Sequence, residues 1–359
     1  MSFHPNCSSI NVTNLTECLL DTDHAILVTE APAPNRQLVS DEMRQTLQLA
    51  IFSVFCGAVS LFGIGTNVLN IIVFIRQGFK DTMNINLLGL AIADLGCLLT
   101  LLGMSIGYNP YLIKTAVWFN LQDLIYFFDG WPHVCMTRVT SLITTFIAVE
   151  RCLCIAIPLK VKTIITHSRT KGIIVGIFAI MVVVSLPFYY VNILIWTFDP
   201  EKNHTVLQLG FRSDRAIVEG IIFSISSVLM PFGSFLVVII CTVILIVKLN
   251  SKTKWRQKAT SQFAGGSDTS VKEKKVIKMV TLISTIFIAC NVPGIVTTVF
   301  MVFEPEFSVL GVYANMFFLS WSIAFALGGL NSAVNIFVYY TMSSKYKETM
   351  QNLLSCKKK

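Results

Sequence analysis

Seven long apolar runs, near residues 46–75, 83–107, 123–155, 171–197, 216–248, 275–303 and 310–341, limit what this chain can fold into. About 20 such residues are enough to cross the hydrocarbon core of a bilayer as a helix. Composition agrees: 54% of the residues are hydrophobic, only 13% are charged, and the mean hydropathy is +0.68. Aqueous domains carry about 25% charged residues, so two or three soluble domains are excluded. The fold expected is an all-α membrane protein, a seven-helix transmembrane bundle. Its limits are a tail at 1–45, the bundle at 46–341 and a final segment at 342–359.

The net charge of +8 is unevenly placed. Arg76, Lys80, Lys160, Arg169, Lys252, Lys254, Arg256 and Lys258 fall between spans one and two, three and four, and five and six; the tail adds Lys345, Lys347 and Lys357. The positive-inside rule puts this set in the cytoplasm and the amino terminus outside. Charge in loops flanking spans argues against a nucleic-acid partner. The sequons at Asn6, Asn11, Asn14 and Asn203 all fall on the expected outer side, where glycosylation is possible. Residues 1–25 lack a basic start followed by an apolar core, so the first span is expected to carry the tail outward itself. Cys7 and Cys18 lie in that oxidising exterior and are a candidate disulfide. Cys152 and Cys154 have no nearby histidine or further cysteine, so no metal or cofactor is expected there.

No internal repeat is visible, against the inverted-repeat plan of many transporters. The connector 249–274 has a Gly265-Gly266 centre between two basic helical extensions. SSKYKETMQNLLS at 343–355 places Tyr346, Met350, Leu353 and Leu354 on one helical face, a pattern suited to lying in the membrane interface against lipid. Cys356 beside it is a candidate lipidation site or a plain thiol.

Polar groups inside spans are expensive and are functional candidates by default. Asn67 sits in GTNVLNIIVF, Asp94 in NLLGLAIADL, and Asn331, Asn335 and Tyr339 in LNSAVNIFVYY. One asparagine would suit ordinary interhelical packing; a carboxylate with asparagines in three spans suggests a shared hydrated network. FIAVERCLCIAIPL at 146–159 carries Glu150 and Arg151 side by side. Pro158 and Lys160 mark an exit from the span, so the pair is expected at a wet edge.

Asn67, the LAIAD run, Glu150-Arg151 with Pro158, Pro231, Phe287, Cys290 and Pro293, and N-x-x-x-Y at Asn335–Tyr339 resemble the rhodopsin-like G-protein-coupled receptors in order and spacing. The resemblance implies a receptor, not an enzyme, that couples to a heterotrimeric G-protein and is open to arrestin. It implies that Arg151 rests on Glu150 and on Glu273, which lies twenty residues before Pro293, and is freed on activation. It also implies that Asp94, Thr140, Asn331 and Asn335 line a sodium-water cavity. Several positions depart from the family pattern. Tyr126 replaces the cysteine usual at the outer end of span three, and 197–215 has none to pair with it. Asn291 replaces a tryptophan before Pro293, and Ile336 replaces the proline after Asn335.

The span-three position where amine receptors carry an aspartate is His133, and the retinal-lysine position is Gly329. Aminergic and light receptors are therefore disfavoured. In GWPHVCMTRVTSLI at 130–143, Arg138 lies deep in the span, with His133 and Thr137 sharing a face. Arg138 is either a structural cation paired with Glu219 or solvated by carbonyls, or a counter-charge for an anionic ligand. Asp129, Glu304 and Glu306 would form an acidic rim; with Arg138, His133, Thr137, Glu219 and Asn291 they suggest a zwitterionic ligand, a peptide or an amino acid. The same stretch resembles invertebrate peptide receptors and molluscan chemosensory receptors. A transporter or channel is the competing class, and would need broken helices or charges aligned across several spans.

Overall fold

The computed structural model describes residues 38–200, 203–259, 268–309 and 311–355. Asn6, Asn11, Asn14, Cys7, Cys18 and Cys356 lie outside the described residues. Among the described residues seven helices are long and apolar enough to cross a membrane: α1 Asp41–Gln77, α2 Thr82–Gly107, α3 Leu121–Ala156, α4 His167–Val191, α5 Arg215–Lys248, α6 Asp268–Phe303 (through its part Lys275–Phe303) and α7 Ala314–Met342. The chain is a multi-pass membrane protein with the expected bundle architecture. Helical backbone continues past α5 to Ala259 and resumes at Asp268, matching the two extensions read from the basic connector. A last helix, α8, covers Ser344–Leu354.

Local chemistry sets the helix starts. Ser40, Asp81, Thr166 and Ser343 cap α1, α2, α4 and α8 by accepting from Met43, Met83, Arg169 and Tyr346 amides, which satisfies donors that the first turn leaves unpaired. Gly78 ends α1 with φ 78°, a conformation that glycine adopts without Cβ strain, and Asn84 donates to its carbonyl. α3 is the central post, packed on α2, α4, α5 and α6. Phe74, Leu90, Val139, Ile143, Ile147, Val280 and Tyr339 form the core at the end that bears the basic connectors. Tyr346 of α8 is 1% exposed and Met350 and Leu353 pack on the same core, whereas Leu354 is exposed. The amphipathic face is thus partly consumed by the bundle.

The expectation that span four runs to 197 needs correction. α4 ends at Val191, and Asn192–Asp199 (β1) pairs antiparallel with His204–Phe211 (β2) in a hairpin. Along the apolar run ILIWTF, Leu194 and Thr197 are partly buried while Ile193, Ile195, Trp196 and Phe198 are exposed. Hydropathy alone merged this strand with the helix before it. Asn203 stands exposed at the hairpin tip with φ 56°.

The hairpin is fastened without the family cysteine pair. Leu207 N–H donates to the Trp118 carbonyl (3.0 Å) and Asn120 N–H to the Leu207 carbonyl (2.9 Å), forming a short bridge with Phe119. Leu209 N–H donates to Asp123 Oδ2 at 3.0 Å, and a His204 ring nitrogen donates to the Val117 carbonyl at 2.7 Å. Asp123→Ala should leave the Leu209 amide without its acceptor and lower stability by about 1 kcal/mol, while Asp123→Asn should retain most of it. Thermal unfolding with hydrogen exchange over 204–211 checks this. Unchanged protection in the alanine variant would show that Asp123 does not hold the hairpin.

Candidate functional site

At the basic end of α3, Glu150 is 1% exposed, so the wet-edge expectation fails for the carboxylate of the pair. A buried carboxylate is tolerated when donors replace water, and three do. Arg151 Nη2 donates to Oε1 at 2.9 Å, Thr82 Oγ1 to the same oxygen at 2.6 Å, and Asn86 Nδ2 to Oε2. Thr82 and Asn86 escaped the sequence reading. Their four-residue spacing puts both on one face of α2, but nothing local says that this face meets Glu150. Arg151 keeps a side chain 15% exposed, and its Nε has no acceptor among the described residues. Residue 273 is helical, but the Glu273 side chain lies outside the described residues, so its part in the latch is not among the contacts. Tyr339 is buried against Phe74 and Tyr346, its hydroxyl without a partner. It lines a cavity of about 360 Å³ at this end, together with Asn84, Lys275 and Met279.

Midway along the bundle, Asp94 is fully buried. Thr140 Oγ1 and Ser332 Oγ donate to Oδ1 at 3.1 and 3.0 Å, and Asn335 Nδ2 donates to Oδ2 at 2.8 Å. Asn67 Nδ2 donates to the carbonyls of Gly63 and Ser332, both at 2.9 Å, tying α1 to α7. The network expected around Asp94, Thr140 and Asn335 is assembled, but Ser332 stands where Asn331 was expected. Adjacent helix positions differ by about 100° in direction, so the sequence motif alone did not decide between them. Asn335 Oδ1 is buried without a donor. With the Asp94 carboxylate and two hydroxyls close by, this orphaned oxygen gives a donor set that fits a hard monovalent cation.

Toward the hairpin end two adjoining cavities open, the deeper among α3, α5, α6 and α7 and the upper among α1, α2, α3, α5 and α7. The deeper one, about 100 Å³, is lined by His133, Thr137, Arg138, Ser227, Asn291 and Thr298, among others. The upper one, about 320 Å³, is walled by aromatic side chains including Phe52, Tyr126, Trp131, Phe317 and Phe325. Val134, Ser227, Trp321 and Phe325 border both. Three π-helical stretches, Leu49–Cys56, Tyr126–Gly130 and Ser224–Leu229, each contribute wall residues. Such widened turns often occur at functional sites because they re-aim side chains.

His133 Nδ1 donates to the Cys97 carbonyl at 3.0 Å and lies 3.1 Å from Thr100 Oγ1. That arrangement fixes the ring against α2 with its proton on Nδ1. Thr137 Oγ1 donates to the His133 carbonyl and Asn291 Nδ2 to that of Phe287, both at 2.8 Å. His133, Thr137, Arg138 and Asn291 are therefore brought together as expected. The carboxylates are not. Glu219 is held by Arg215 at 3.0 Å and by Asn192 at 2.8 Å, so it does not pair with Arg138. Asp129 packs against Gly103 of α2 and lines neither cavity. Glu304 and Glu306 are exposed in the turn after α6. The expected acidic rim is absent from the cavity walls. What the sequence reading missed was the aromatic vestibule, whose members come from five separate helices.

Comparison with known proteins agrees with the seven-helix bundle. Residues 66–339 match the model of the rhodopsin family of 7 transmembrane receptors. The growth hormone secretagogue receptor type 1 of Mustela putorius furo is 26% identical, covering 90% of this chain and 87% of its own. The human thyrotropin-releasing hormone receptor is 26% identical over 88% and 79%, and the Bos taurus somatostatin receptor type 5 is 25% identical over 84% and 75%. With the family match extending from α1 into α7, the chain belongs to the rhodopsin family of seven-transmembrane receptors, a family of receptors and not of enzymes.

Proposed function

We propose that this receptor takes an extracellular peptide ligand into the joined cavities and passes the signal through α3 to a heterotrimeric G-protein. The observation that carries the reading is the shared helix. α3 presents His133, Thr137 and Arg138 to the deep cavity and holds the Glu150–Arg151 pair at its other end. Similarity to the hormone receptors supports a peptide messenger. The basic connectors and the exposed sequon at Asn203 support an amino terminus outside the plasma membrane. Activation frees Arg151 for the G-protein, with Glu273, Asn335 and Tyr339 as further parts of the switch and arrestin as a competing partner at the same face. Asp94 and its donors form the midway ion-and-water site. The likeness of GWPHVC and FIAVERCLCIAIPL to molluscan chemosensory receptors favours a second reading, a small environmental ligand in the same cavities, which the tissue of expression would separate from the first.

The test is ligand-dependent nucleotide exchange. The receptor is reconstituted in vesicles with a heterotrimer and challenged with a peptide library. Exchange that rises with one peptide family supports the proposal. Ion or solute flux without exchange would reassign the chain to transport.

A further inference from the structure

We propose that the deep cavity is an anion site that receives a free carboxylate. The ligand enters carboxylate first, with an apolar or aromatic body left in the vestibule above. This deepens the peptide reading, which it takes as its starting point, by saying which end of the peptide goes in.

Among the described residues Arg138 supplies the only formal charge on the walls of either cavity. A guanidinium stays protonated, and an ionised group within a membrane span persists when something compensates it. Among the described residues no carboxylate lies within ion-pairing distance of Arg138; the three ion pairs are Arg151–Glu150, Arg212–Asp214 and Arg215–Glu219. Arg138 Nε is enclosed without an acceptor, while the side chain as a whole is half-buried and forms part of the cavity wall. The protein therefore builds a cation and aims it into a hole, leaving its counter-charge to come from elsewhere.

Size and surroundings narrow that counter-charge. The deep cavity of about 100 Å³ suits one small planar anion with a few carbons. A carboxylate matches the guanidinium fork through two parallel hydrogen bonds. Ser227 adds a hydroxyl at the junction of the two cavities. Asn291 uses one amide hydrogen on the Phe287 carbonyl and keeps a second for a ligand oxygen. Aromatic rings line the upper space, and no aspartate or glutamate is present to select a cation. An amine head group would meet like charge; an amidated terminus would fit sterically but leave Arg138 uncompensated.

The same carboxylate could end a peptide or a fatty acid, and the experiment separates them. Purified full-length receptor in nanodiscs is titrated with N-acetyl-phenylalanine, N-acetyl-phenylalaninamide and decanoate, and the unfolding midpoint is followed. The acid is expected to reach a given shift at a concentration at least tenfold below that of the amide. Arg138→Gln should erase this preference, and Arg138→Lys should keep part of it. Equal titrations of acid and amide on the unsubstituted protein, or no shift from any acid, would overturn the anion site without reference to whether the variants fold. A preference that survives in a folded Arg138→Gln protein would overturn it too. Binding of decanoate alone would uphold the carboxylate site and count against the peptide reading, so the two proposals fail separately.

Discussion

Arg151→Ala is expected to reduce ligand-stimulated nucleotide exchange to the level of the G-protein alone while leaving a folded receptor in the membrane. The separation of the two effects follows from how Glu150 is held. Arg151 supplies one of three donors, and in its absence Thr82 still donates to Oε1 and Asn86 to Oε2. The buried carboxylate is not orphaned, so the loss of stability stays near the value of one charge-assisted bond, about 1.5–3 kcal/mol at most. On the signalling side the same guanidinium is the polar group proposed to meet the G-protein, and loss of a contact of that size corresponds to about 10–100-fold in coupling. Glu150→Gln makes the complementary prediction. It weakens the hold on Arg151 while keeping an amide oxygen for Thr82 or Asn86, and ligand-independent exchange should rise. Surface expression, unfolding midpoint and exchange rate measured together decide the matter. Full exchange from a well-expressed Arg151→Ala receptor would show that the pair is structural only.

Hydropathy was sufficient for the bundle because membrane spans answer to length and apolarity, both properties of single segments. It failed at Val191, where one apolar run crosses from helix to strand: ILIWTF reads the same in a window average, and only pairing with HTVLQLGF distinguishes it. Side-chain partnerships were legible when both partners belonged to a recognisable motif, as with Asp94 and Asn335. Glu150 meets Thr82 and Asn86 across 68 and 64 residues of chain, and neither donor belongs to a motif. The alternative that paired Arg138 with Glu219 had a counter-signal in the sequence. Arg215 lies four residues before Glu219, the spacing that brings opposite charges together on one helix face, and local pairs form more readily than pairs between helices. The vestibule was invisible for a different reason. Phe52, Trp131, Phe317 and Phe325 are ordinary span residues in composition, and only the packing of their helices gives them a common face.

Sodium should stabilise this receptor through Asp94, and Asp94→Asn should remove the effect. Polar atoms are out of balance around Asp94. Asp94 receives Thr140, Ser332 and Asn335 as donors, three neutral groups around one buried carboxylate midway along the bundle. Neutral donors lower the cost of a buried carboxylate without cancelling its charge. Asn335 directs Nδ2 to Asp94 and leaves Oδ1 buried without a donor, so oxygen lone pairs are in surplus at this point. A monovalent cation would take up both the charge and the surplus oxygens. If it binds the folded state alone, sodium at ten times its dissociation constant adds about 1.4 kcal/mol by mass action. The asparagine side chain keeps the shape and an acceptor oxygen, while its amide can turn toward the Thr140 and Ser332 hydroxyls, which are free to rotate and accept. The variant should therefore fold with an unfolding midpoint that is the same in sodium chloride and in choline chloride, and equal to or above that of the parent in choline. A parent protein with identical midpoints in the two salts would remove the cation from the account. A sodium effect that persists in Asp94→Asn would place it at some other site.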